Sequence, residues 1–153
     1  MPKTKKEQIV YGIMMVLVMV YGMISYNISI NMGGLNNQVF LFALGDLIYM
    51  APVALIVESL FVSKIAMKNA LNIIKPEENN MLFIIAMSSC TVMLMCPIMS
   101  FIATIIHHGI NIDFIANWFQ AIVLNFPMAL FYQLFFAGPL VRFIFSKIFK
   151  EKK

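Results

Sequence analysis

Met50-Ala51-Pro52-Val53-Ala54-Leu55 and Asn125-Phe126-Pro127-Met128-Ala129-Leu130 are one phrase written twice, 75 residues apart. Without a gap, the same offset pairs Ile9 with Ile84, Ser25 with Ser100, Gly34 with Gly109, Asn36 with Asn111, Phe61 with Phe136 and Lys75 with Lys150. Each copy contains two long apolar segments, at 9–30 and 39–62, then at 81–106 and 114–136. At about 1.5 Å per helical residue, every segment is long enough for the roughly 30 Å hydrocarbon layer of a bilayer. The pattern predicts an all-α membrane protein of four transmembrane helices. They form two tandem, parallel helical hairpins, spanning 1–76 and 77–153.

Composition points the same way. The chain is 61% hydrophobic and 12% charged, where soluble domains run near 45–50% and 25%. A water-soluble core of 153 residues could not hide four such segments. Lys3, Lys5 and Lys6 ahead of an apolar run imitate a secretory signal, but the run is long and no small-x-small cleavage site closes it. The reading is an uncleaved first helix.

Basic residues set the expected orientation. All 11 Lys and Arg fall before the first helix, after the second (Lys64, Lys68, Lys75) or after the fourth (Arg142, Lys147 and the tail). Loops 31–38 and 107–113 have none. The positive-inside rule then places both termini and the central linker in the cytoplasm. The net charge of +4 is read as an orientation signal. Nucleic acid is not an expected partner, because no basic domain surface with aromatic platforms exists. Lys64, Lys68, Asn72 and Lys75 share one face of a helix expected at about 64–75, suited to anionic headgroups at the cytoplasmic interface. Arg142 and Lys147 are the corresponding headgroup contacts after the last helix, and an ordinary positive loop is the alternative reading.

All four segments are interrupted near mid-membrane, at Gly22, Pro52, Pro97 and Pro127. Each proline removes a backbone donor and frees the carbonyl four residues earlier, at Ile48, Met93 and Val123. Packing kinks and a hinged or hydrated centre are both open readings.

The fourth segment has a familiar look. Trp118-Phe119-Gln120-Ala121, then Asn125-Phe126-Pro127-Met128-Ala129, then Pro139-Leu140-Val141-Arg142 resemble a bacterial family of small membrane proteins catalogued as a domain of unknown function. Its unit is a two-helix hairpin with a Trp, a mid-helix Pro-x-Ala and a terminal Pro-Leu-Val-Arg. The first repeat departs from it: Ala43 stands at the Trp position, Lys64 at the Pro and Met67 at the Arg. The resemblance implies a bacterial inner-membrane location and carries over no functional residue.

Candidate sites are few. Asp46 and Glu58 are the acids inside the apolar segments. A charge at the bilayer centre costs about 2.5–3.5 kcal/mol on insertion scales, so intramembrane acids are functional candidates. Twelve residues apart, they lie about 18 Å along one helix and about 120° around it, and cannot share an ion. The offset matches Glu58 with Gln133, so the pair could face across a pseudo-two-fold axis and hydrogen-bond. Glu58 could equally snorkel toward Lys64 or Arg142. Asn117 and Asn125 suit interhelical hydrogen bonding more than ligand contact.

His107, His108 and Asp113 carry metal-ligand chemistry on an outer loop, but a solvated loop is the plainer reading and no metal or cofactor is expected. The 14 methionines read as apolar filler rather than a soft-metal path. Cys90 and Cys96 are too far apart on one helix for a disulfide. P-loop, nucleophile-elbow, zincin and dithiol motifs are missing. The expectation is a non-enzymatic small multipass protein. It would be a transport component, with a dimer completing the pathway and Asp46, Glu58, Gln133 and Asn125 as polar contacts. The alternative is a partner or lipid-organising protein, and less favoured is a membrane enzyme.

Overall fold

The computed structural model describes residues 5–75 and 80–150. They are all-helical, with no strand among them. Helices α1 (Lys5–Asn31) and α2 (Asn37–Val57) lead into a π turn (Glu58–Val62) and α3 (Ser63–Ile73). Helices α4 (Asn80–His108) and α5 (Phe114–Tyr132) lead into a second π turn (Gln133–Ala137) and α6 (Gly138–Lys150). Four stretches are long and apolar enough to cross a membrane: Ile9–Asn31, Asn37–Ile73, Met81–His107 and Phe114–Phe149.

The 75-residue offset holds at backbone level. It carries the start of α1 onto that of α4, the end of α2 onto that of α5, and each π turn onto the other. The N–H of Ser63 bonds the carbonyl of Glu58, and that of Gly138 bonds the carbonyl of Gln133, five residues back in both cases. Pro139 removes a donor beside the second turn. The first repeat forms the same turn with Lys64 in that place, so the turn belongs to the repeat and not to the proline.

The hairpin loops close on backbone chemistry. Gly33 adopts φ 75°. Its N–H meets the Ile30 carbonyl at 3.2 Å and the Gly34 N–H meets Ser29 at 2.9 Å, a Schellman ending that satisfies two orphan carbonyls. Gly109, at φ 67°, ends α4 with a single bond to Ile105 at 3.0 Å. The following helices start alike. Val39 bonds the Asn36 carbonyl and Phe114 that of Asn111, both at 3.0 Å.

The chain packs as two compact units, each drawing on both repeats. One contains α1, α2 through Leu55, and everything from Tyr132 onward. In it α1 packs on the second π turn and α6. The Tyr11 and Phe145 rings meet edge-on at 5.5 Å. The other unit runs from Ile56 to Phe131, and there α4 packs on the first π turn and α3. The buried stripes match under the offset: Val62, Ala66 and Ala70 correspond to Ala137, Val141 and Phe145. Small residues at four-residue spacing let backbones approach closely, which is how apolar helices gain packing energy in lipid.

The Pro-x-Ala phrase now has a structural meaning. Ala54 and Ala129 are buried, whereas Pro52 and Pro127 are exposed. Ile48 and Val123, whose carbonyls the prolines free, are 71% and 68% exposed. At both positions the helix buries its alanine and turns its proline, with the residue four before it, outward. Outward side chains of this kind, Leu41 and Tyr49 among them, suit hydrocarbon and not water.

The last apolar segment, read as 114–136, is helical from Phe114. One sequence expectation needs adjustment. The helix expected at 64–75 ends at Ile73, because Ile74 is extended (φ −147°). Lys75 therefore lies beyond the helix and off the face of Lys64 and Lys68. The linker residues 76–79, with Pro76, Glu77, Glu78 and Asn79, fall outside the described residues.

Candidate functional site

Two polar residues of the apolar segments, Glu58 and Gln133, open the π turns. Glu58 opens the first, its carbonyl holding the Ser63 N–H. Its side chain is half-buried, and its Oε2 is enclosed with no hydrogen-bond partner. The salt bridge to Lys64 or Arg142 that the sequence allowed is therefore not formed by this oxygen. Gln133 opens the second turn and is 5% exposed. One register position thus carries an acid in one copy and an amide in the other. Glu58 lies in the Ile56–Phe131 unit and Gln133 in the other.

Asn125, on α5, is 7% exposed, and its Oδ1 is likewise buried without a partner. Its counterpart in the first repeat is Met50, also buried. Glu58 and Asn125 belong to the same compact unit. Leaving a buried acceptor unmet costs about 1–3 kcal/mol, more for a charged group. Asp46 is half-buried on α2, nine residues from its start.

Two residues of the apolar segments make specific contacts. Trp118 is half-buried and donates its indole N–H to the Pro97 carbonyl at 3.0 Å. Phe101 stacks edge-on against both Trp118 and Phe114, at 5.3 Å each. Gly22, taken as a mid-membrane weak point, is a site of close approach. A Cβ there would collide with the Tyr132 ring, whose hydroxyl donates to the Val18 carbonyl at 3.4 Å. Tyr132 immediately precedes the second π turn and was not singled out from sequence. No local pattern marks a contact between residues 114 apart.

Hydroxyls in the apolar helices bond their own backbone. Ser25 reaches Tyr21 at 2.9 Å and Thr104 reaches Ser100 at 2.7 Å. Such back-bonding satisfies the group locally and commits it to no ligand. Cys90 and Cys96 are free, and Cys96 Sγ lies 4.0 Å from Ser100 Oγ. His107 and Asp113 are exposed, and no metal-competent cluster of three ligands occurs among the described residues. Lys64, Lys68, Lys75, Arg142 and Lys147 are all exposed. Lys147 Nζ stands 4.7 Å from the centre of the Phe143 ring.

Comparison with known proteins identifies relatives without assigned chemistry. A Bacillus subtilis (strain 168) protein described as uncharacterized protein YybC is 33% identical over 159 residues, covering 99% of this chain and 97% of that protein. No solved structure matches. The profile of a domain of unknown function, DUF2798, matches twice in tandem, over residues 4–74 and 78–149. The two matches follow the internal repeat read from the sequence, and the chain belongs to the DUF2798 family.

Proposed function

We propose that this chain is a non-enzymatic transport component of the bacterial cytoplasmic membrane, crossing it four times with both termini and the linker inside. Glu58 is its coupling residue. One observation carries the assignment: Glu58 Oε2 is buried with no donor, on a π turn within an apolar span. An enclosed carboxylate oxygen is completed by a proton or a cation. An intramembrane acid without a structural partner is the usual mark of a proton or ion path. π turns interrupt the regular ladder and recur at functional sites. Asn125 Oδ1, the other orphaned oxygen of the same unit, is a further acceptor for such a ligand.

Four helices are few for a complete pathway, and a homodimer would supply the second wall. Gln133 cannot carry a charge, so the second repeat supports the turn without duplicating the acid. Asp46, which is half-buried, is a secondary polar contact on the outer half of α2.

The test is flux into vesicles holding the full chain, driven in turn by proton, sodium and potassium gradients. The reading expects flux of at least one ion, lost in Glu58→Gln and reduced by less in Asp46→Asn. Equal rates for Glu58→Gln and the unaltered chain would remove Glu58 from the mechanism. No flux of any of these ions would remove the transport reading for them.

A further inference from the structure

The basic face of α3 is not used by the Glu58 reading, and its geometry points to a particular partner. Ala66 and Ala70 are fully buried, on the face that α3 packs toward α4. At about 100° per residue, Lys64 and Lys68 project within about 20° of the direction opposite Ala66. Both are exposed, as is Lys75 just past the helix end. The flanks of this basic ridge are apolar and exposed: Ile65 on one side, Met67 and Leu71 on the other, at 44%, 42% and 44%. A soluble protein partner would have to desolvate lysines to reach those flanks. A bilayer surface takes both at once, with apolar flanks in the acyl boundary and ammonium groups among phosphates.

Length agrees. Asn37–Ile73 is one 37-residue helix that contains a window apolar enough to cross a membrane. Lys64 and Lys68 follow Asn37 by 27 and 31 residues, past the roughly 20 that a spanning helix needs. The ridge is peculiar to the first repeat, since Pro139 and Phe143 occupy the positions of Lys64 and Lys68 in the second.

We infer that α3 docks on the headgroup layer of anionic phospholipid through Lys64, Lys68 and Lys75. The inference rests on the membrane-spanning reading and not on transport. Because α3 continues directly from the turn that bears Glu58, headgroup binding anchors that turn at its cytoplasmic end.

The test is native mass spectrometry of the full chain released from vesicles of equal phosphatidylglycerol and phosphatidylcholine. An anionic headgroup favours each surface lysine by about 1 kcal/mol, about fivefold, so the three together set a preference on the order of a hundredfold. The unaltered chain should retain phosphatidylglycerol strongly. The Lys64→Gln/Lys68→Gln/Lys75→Gln variant should lose most of that preference, and the corresponding Lys→Arg variant should keep it. Circular dichroism verifies that both variants are folded. The same lipid ratio for the Gln variant and the unaltered chain would overturn the inference. So would loss of the preference in millimolar inorganic phosphate at constant ionic strength, which would assign the lysines to a soluble phosphate.

Discussion

Gly22→Ala is the sharpest perturbation of the packing. A Cβ at position 22 falls well inside van der Waals contact with the Tyr132 ring carbons and 2.7 Å from the hydroxyl oxygen. Ordinary contact is about 3.5–4.0 Å, so α1 and the Tyr132 segment must part by about 1 Å or the ring must leave its rotamer. Overpacking of this size costs about 1–3 kcal/mol. Losing the hydroxyl bond to the Val18 carbonyl adds about 0.5–1.5 kcal/mol. Alanine's better helix propensity offsets about 0.8–1.0 kcal/mol. The expected net loss is about 1–3 kcal/mol, read as a lower unfolding midpoint by circular dichroism in mild detergent. Gly12→Ala is the control, because nothing lies within 4 Å of its Cβ position. Tyr132→Leu in the Gly22→Ala background should recover part of the loss, giving a coupling of about 1 kcal/mol in a double-mutant cycle. Equal stability of Gly22→Ala and Gly12→Ala would refute the contact.

Three further outcomes are expected. Trp118 is the single tryptophan of the chain, so its emission should be blue-shifted and resistant to aqueous quenchers. Trp118→Phe should cost about 0.5–1.5 kcal/mol through the lost bond to Pro97, while the stacking on Phe101 persists. Asn125→Met installs the buried residue of the first repeat and removes an unmet acceptor worth about 1–3 kcal/mol. Its unfolding midpoint should stay level or rise, and a clear fall would show that Asn125 holds a partner in the native state.

The helices and the repeat were legible because hydrophobic length and a gapless 75-residue offset are properties of the chain itself. Asn36 and Asn111, paired by the offset, accept equivalent first-turn hydrogen bonds. Gly34 and Gly109 both fall in the loops, although Gly33 is the left-handed residue of the first. The π turns were not legible, since a five-residue bond has no composition code and only one of them has a neighbouring proline. The division into packing units was also hidden. Repeats read as domains 1–76 and 77–153 describe ancestry, whereas α1 packs on α6 and α4 on α3, each across that boundary. Of the candidate residues, Glu58 and Gln133 were chosen by chemistry and offset. The structure adds that both open a π turn, and that Glu58 has an orphaned oxygen. The contacts of Trp118 and Gly22 were not legible, because each is made with a residue distant in sequence.

The most direct measurement on Glu58 is labelling of the vesicle-embedded chain with dicyclohexylcarbodiimide, an apolar reagent for enclosed carboxyl groups, with peptide mass spectrometry and flux on the same sample. The account predicts an adduct on Glu58, slowed by the transported ion, with flux lost in proportion to labelling. An unlabelled Glu58, or a labelled chain that still transports at full rate, would contradict it.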